Sequence, residues 1–183
     1  MKTVQKSFRN IHGKELRVEV NNFSEATVSI AVTNVESFRE RKRLLMITFC
    51  TGGLYLALVL ADRVVGSVFG HIFMLLLTVV PVYLELGVVE SETVTFVKHF
   101  GLHKITEYSR KRVENRLIPT HSIHDIIINE VIQRQRVIFM LQILLQPETT
   151  VNERLLSIFE KTQPNLQCLE FIYKLLHRRW DKS

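Results

Sequence analysis

An α+β membrane protein is the class this sequence predicts: a two-helix transmembrane hairpin, then a small antiparallel-sheet cytosolic domain closed by a C-terminal helix. Three observations predict it. Two uncharged apolar runs, residues 44–61 and 64–84, hold 18 and 21 residues, with only Asp62 and Arg63 between them. Downstream, short stretches of alternating or dense apolar residues read as strands. From residue 164 onward the apolar positions recur every three to four residues, the period of an amphipathic helix. The organisation expected is therefore a cytosolic N-terminal segment with short strands (1–43), the hairpin (44–84) and a cytosolic α+β domain (85–183).

Residues 15–20 and 26–32 are the two strand-like stretches of the first segment. Leu16, Val18 and Val20 share one face of the former. Alone they bury too little to fold. They either pair with the C-terminal part or lie against a partner.

A hydrocarbon core about 30 Å thick needs roughly 20 helical residues to cross it. Each apolar run meets that length, and two intervening residues allow only a tight turn. The competing reading is a buried helical pair of a soluble protein. Such helices usually show a polar face, and residues 54–60 contain no strongly polar side chain. Arg39, Arg41, Lys42 and Arg43 stand just before the first run. Lys and Arg near a span end stay cytoplasmic, so both flanks of the hairpin are expected in the cytosol. Asn22-Phe23-Ser24 forms a glycosylation sequon that this topology leaves unused. No apolar stretch of signal-peptide type occurs in the first 40 residues, so the first span is expected to act as its own insertion signal. Gly66 and Gly70 make a small-xxx-small pair, through which another helix could approach closely. His71 lies inside the second run, where an ionisable group is costly, and is expected to face a neighbouring helix.

In the third segment Val94 and Phe96 mark a strand, Gly101 a break, and residues 102–108 its hairpin mate. Residues 109–115 are polar and basic, hence a loop. Pro119 demotes its surroundings to an edge or turn. Residues 126–128 with 131–132 form another strand, and 137–145 one buried on both faces. Asn152 is placed to cap a short helix reaching residue 161. Thr162 and Pro164 open the final helix, striped by Leu166, Leu169, Ile172, Tyr173, Leu176 and Trp180. Strands closed by one helix resemble a small pleckstrin-homology-like barrel.

The formal net charge of +6 is bunched at 39–43, 110–112 and 177–179. Beside spans this reads as positive-inside flanks or contact with anionic headgroups. No recognition motif accompanies it, so nucleic acid is not expected as a partner. The seven glycines include no phosphate-cradling cluster after a strand, and no Gly-x-Ser-x-Gly elbow occurs. His99 with His103 and His121 with His124 have wrong settings for a shared metal face. The two cysteines, Cys50 and Cys168, give no disulfide framework or metal spacing. No catalytic residue, cofactor or metal is nominated.

One resemblance goes further. Asp125-Ile126-Ile127-Ile128-Asn129-Glu130, followed by the 137–145 run, is similar to a signature of the PIG-H family. So is Pro164-Asn165-Leu166-Gln167-Cys168-Leu169 with Ile172-Tyr173-Lys174. The match is close over 122–145 and 164–174 and looser over the hairpin and 85–108. This family is the H component of the phosphatidylinositol N-acetylglucosaminyltransferase complex of the endoplasmic reticulum. The resemblance implies a non-catalytic accessory or scaffold subunit in the first step of GPI-anchor synthesis. There, N-acetylglucosamine passes from UDP-GlcNAc to phosphatidylinositol at an active site held by another subunit, PIG-A. PIG-A, the other subunits and membrane lipids are the partners implied. The family offers no catalytic residues to carry over. Asp125, Asn129, Glu130 and Tyr173 are the residues nominated for partner contact, and Gly66 and Gly70 for helix packing. The alternative is a membrane-anchored adaptor whose barrel reads phosphoinositides through Arg110, Lys111 and Arg112.

Overall fold

The computed structural model describes residues 2–61, 68–133, 135–146 and 154–180. Two compact units emerge, one of residues 1–35, 89–107 and 113–183, the other of 36–88 and 108–112.

The first unit is α+β. Strands β1 (Lys2–Arg9), β2 (Glu15–Asn22), β3 (Thr27–Asn34), β4 (Val89–Val97), β5 (Gly101–Tyr108) and β6 (Val113–Pro119) form a sheet in that order. Strands β7 (Ile123–Gln133), β8 (Arg136–Leu145) and β9 (Leu155–Ile158) form a second, antiparallel sheet, and α3 (Leu166–Trp180) follows. Alternation explains the first sheet. Val18 pairs with Val32, Val20 with Ile30, and Ile30 with Val94, so the Val20–Ile30–Val94 row runs apolar across three strands on one face. All are buried, each such side chain contributing about 1.5–3 kcal/mol. The same core takes Ile126 of β7, Leu141 and Ile143 of β8, and Cys168, Leu169, Ile172 and Leu176 of α3.

The first segment's strands thus pair with the C-terminal part: β3 runs antiparallel to β4 from Thr27↔Val97 to Thr33↔Ser91. The two apolar helices are an insertion between neighbouring strands of one sheet. β1 was not legible, because residues 3–7 are exposed at a sheet edge and show no apolar alternation. Pro119 does close an edge strand, β6, which begins at Val113 and so claims the end of the stretch read as loop.

One expected helix is overturned. Residues 155–158 are strand β9, with Leu156 and Ile158 two apart and paired to Ile143 and Leu141 of β8. Burying two residues at that spacing on one face suits a strand, not a helix. The proposed cap, Asn152, lies outside the described residues. The final helix starts at Leu166, two residues after Pro164. Asn165 supplies its cap, its Oδ1 accepting the Cys168 N–H at 3.0 Å.

The second unit contains α1 (Ser37–Leu60) and α2 (Val68–Leu86). At 1.5 Å per residue they measure about 36 and 28 Å. Both are long and apolar enough to cross a membrane by length and composition, and no described residue of α1 is buried. Phe49 and Phe69 are 84% and 85% exposed, the opposite of a soluble core. The Asp62–Arg63 turn falls outside the described residues.

Candidate functional site

Contacts between α1 and α2 follow an antiparallel ladder. The Tyr55 hydroxyl lies 3.0 Å from His71 Nδ1, with the rings edge to face. His71 therefore faces the neighbouring helix, as expected from the sequence. A Cβ on Gly52 would meet only Thr78 Cγ2, at 3.9 Å. Thr48, Thr51 and Thr78 turn their hydroxyls onto carbonyls three or four residues back, satisfying themselves within the helix. Gly70 lies in the first turn of α2, and Gly66 is outside the described residues.

At the far end of the ladder sits Glu85, 1% exposed. Arg41 Nε donates to its Oε1 at 3.0 Å, and Arg110 Nη2 to its Oε2 at 2.7 Å. The end of α2 leaves carbonyls without helical partners. Ser109 Oγ donates to the Glu85 carbonyl at 2.6 Å, and the Ser109 N–H donates to the Val88 carbonyl at 2.8 Å. Arg110 and Lys111 both adopt left-handed backbone, φ 62° and 60°. Such residues cost on the order of 1–3 kcal/mol each and persist where surroundings hold them. This clamp gathers residues 41, 85, 109 and 110. The run of apolar residues ending before Glu85 was visible in sequence, but its pairing with residue 110 was not.

A second buried carboxylate, Glu92, belongs to the first unit and is fully buried. Its Oε2 accepts from the Thr162 N–H at 2.8 Å and Oγ1 at 2.7 Å. Lys104 Nζ lies 3.8 Å from Oε1 and donates to the Ser157 carbonyl at 3.0 Å. The bond ties β4 to the segment entering α3.

The residues nominated for partner contact do not form one cluster. Asp125 and Asn129 share a face of β7, and Glu130 lies on the other and is exposed. Asp125 Oδ1 accepts the Ile126 N–H at 2.7 Å. Asn129 begins a polar ladder, donating to Gln142 Oε1 at 3.1 Å, whose Nε2 donates to Ser157 Oγ at 3.1 Å. Tyr173, on α3, stacks on His177 with centroids 5.2 Å apart.

Among the described residues, an open cavity of about 480 Å³ is lined by Ile11, His12, Gln133, Arg136, Ile138 and Gln163. Among the described residues no three His, Cys, Asp or Glu side chains converge on a metal position. Burial pushes the Cys168 thiol from 9.0 up to about 12. The folded state then holds a proton that the unfolded chain releases, so this residue's contribution to stability is complete below pH 9.0 and lost as pH climbs toward about 12. In alkaline denaturation series Cys168→Ala is expected to flatten that decline. Native Cys168 is expected to resist iodoacetamide at pH 8 until the fold is opened.

Residues 93–160 match the family described as GPI-GlcNAc transferase complex, PIG-H component. The matched stretch contains the first of the two motifs, and the second lies beyond it. The H subunit of phosphatidylinositol N-acetylglucosaminyltransferase from Mus musculus is 31% identical over 94 residues, half of this chain and half of the relative. Its Bos taurus and Homo sapiens counterparts are 30% and 29% identical over the same length and shares. The chain spans about half the length of the curated relatives it matches. No solved structure matches it.

Proposed function

We propose, from the PIG-H family domain that this chain carries over residues 93–160, that it is a non-catalytic scaffold subunit of the complex transferring N-acetylglucosamine from UDP-GlcNAc to phosphatidylinositol. The match over 93–160 carries this reading. In it α1 and α2 cross the endoplasmic reticulum membrane, and the first unit is a pleckstrin-homology-like domain on the cytosolic side that docks PIG-A. The exposed apolar surface of both helices supports the crossing. Sheet topology supports a hairpin with both flanks on one side: the chain leaves the sheet at Asn34 and returns at Val89 to the adjacent strand. Asp125, Asn129, Glu130 and Tyr173 remain the proposed contacts to partner subunits, and Gly66 with Gly70 a proposed helix-packing surface.

Cells lacking their own PIG-H protein provide the test. Expression of this chain is expected to restore microsomal transfer of N-acetylglucosamine to phosphatidylinositol and to recover PIG-A in pull-downs. A chain that is membrane-inserted yet restores neither would reject the reading. Its sequon supplies a topology check: Asn22 is expected to carry no glycan, and an endoglycosidase-sensitive shift at Asn22 would put the sheet on the lumenal side.

A further inference from the structure

We propose that the base of the helical hairpin docks on anionic phospholipid headgroups through Arg39, Lys42 and Arg43 of α1 together with Lys111 and Arg112. This rests on the reading of α1 and α2 as spans, and adds a charged contact with the bilayer to it. The first support is convergence. Two basic stretches some 70 residues apart in sequence are brought to one end of the second unit because Glu85 pairs with Arg41 from one and Arg110 from the other. Those two arginines offset the buried carboxylate. Arg39, Lys42, Arg43, Lys111 and Arg112 all have exposed side chains.

The second support is that helix stability gives no reason for this placement. The N-terminal end of a helix carries partial positive charge and favours acidic residues. Four of the five residues 39–43, within the first two turns of α1, are nevertheless cationic, with Glu40 the one acid. The third support is the turn after β5. Arg110 and Lys111 hold a left-handed backbone that side-chain-bearing residues rarely adopt, with Arg110 and the preceding Ser109 both bonded to Glu85. The Arg112 guanidinium lies 4.9 Å from the Tyr108 ring centroid, an aromatic–cation pair suited to a polar boundary.

The level of the cations favours lipid over an acidic protein. Residues 39–43 rise only about 6 Å along α1 and directly precede its apolar stretch, while Glu85 ends that of α2. Beside spans of this length, the layer at that level is headgroups. Phosphate oxygens also suit guanidinium and ammonium donors.

The full chain would be reconstituted in phosphatidylcholine containing a minority of phosphatidylserine. Lipid retained after mild detergent extraction would be counted by native mass spectrometry. Phosphatidylserine is expected to be enriched over its bilayer fraction, with roughly fivefold loss of binding per neutralised residue and weakening in high salt. A variant with all five residues changed to Gln keeps Arg41 and Arg110, hence the Glu85 clamp, and is expected to retain lipid in the bilayer ratio. A control neutralising Arg17, Arg154, Lys161, Lys174 and Arg178 is expected to keep the enrichment. Equal loss in that control would reduce the effect to net charge and overturn the proposal. Displacement by inorganic phosphate would overturn it too, since a bilayer is the source proposed. So would five changes that release an acidic subunit while lipid stays. Alkaline carbonate separates the two readings: a chain that it extracts is no spanning protein, whereas a resistant chain without phosphatidylserine enrichment defeats this proposal alone.

Discussion

Gly101→Ala is expected to cost at least about 3 kcal/mol, a large share of the roughly 5–15 kcal/mol by which domains are stable. Gly101 opens β5 at φ +155°, and a Cβ there would collide with the Ile118 carbonyl oxygen. That atom is backbone of the paired strand, since Gly101 sits opposite Pro119 and Leu102 opposite Ile118. Relief therefore requires β5 and β6 to separate rather than a side chain to rotate. Gly13 is the built-in comparison, with φ +81° and nothing within 4 Å of the added methyl. Gly13→Ala suffers only the backbone penalty, about 1–2 kcal/mol. Thermal unfolding of both variants in one detergent measures the difference. Equal losses would mean that the β5–β6 approach is not what demands glycine.

That contrast shows what could be read beforehand. A break at Gly101 between two apolar stretches was legible, because alternation marked residues 94–96 and 102–108 as strands. The backbone contact was not, since it depends on a strand pairing with no side-chain signature. The hairpin helices were legible from the length of their apolar runs, and β2, β3, β7, β8 and α3 from apolar patterning carried on their own residues. Joining β3 to β4 across the inserted helices was not, because nothing local to either strand states its partner. Leu156 and Ile158 stand in a stretch too short to separate periods of two and 3.6, which is why a helix was expected there. The carboxylates were missed differently. Glu92 occupies the inward position two before Val94 and four before Phe96, and a charge there hid the start of the strand. The nominated contacts Asp125, Asn129 and Glu130 were chosen as polar residues beside an apolar triplet, a pattern that cannot tell the two faces of β7 apart.

Glu92→Leu is the other change expected to be large, about 3–5 kcal/mol, the range for removing one partner from a buried charged pair. Leucine fits the position by alternation, directly across from Val32. Its cost comes from what it abandons. The buried Thr162 N–H and hydroxyl lose their acceptor, each worth roughly 1–3 kcal/mol when left unpaired. Lys104, whose side chain is only 14% exposed, keeps the Ser157 carbonyl but loses its neutralising charge. Combining Glu92→Leu with Lys104→Met should therefore recover part of the loss, because the uncompensated ammonium is gone. Glu92→Gln should fall between, retaining a carbonyl oxygen for Thr162 but placing no charge near Lys104. Denaturant unfolding of the parent, Glu92→Leu, Lys104→Met and the double variant gives the coupling directly. The consequence reaches function through α3. Thr162 stands four residues before the helix that buries Cys168, Leu169, Ile172 and Leu176, so releasing it loosens the helix covering that core. On the scaffold reading, Glu92→Leu is then expected to lower recovery of PIG-A in pull-downs in proportion to lost stability, with Lys104→Met restoring both together. Stability restored without PIG-A would mean that Lys104 itself meets the partner.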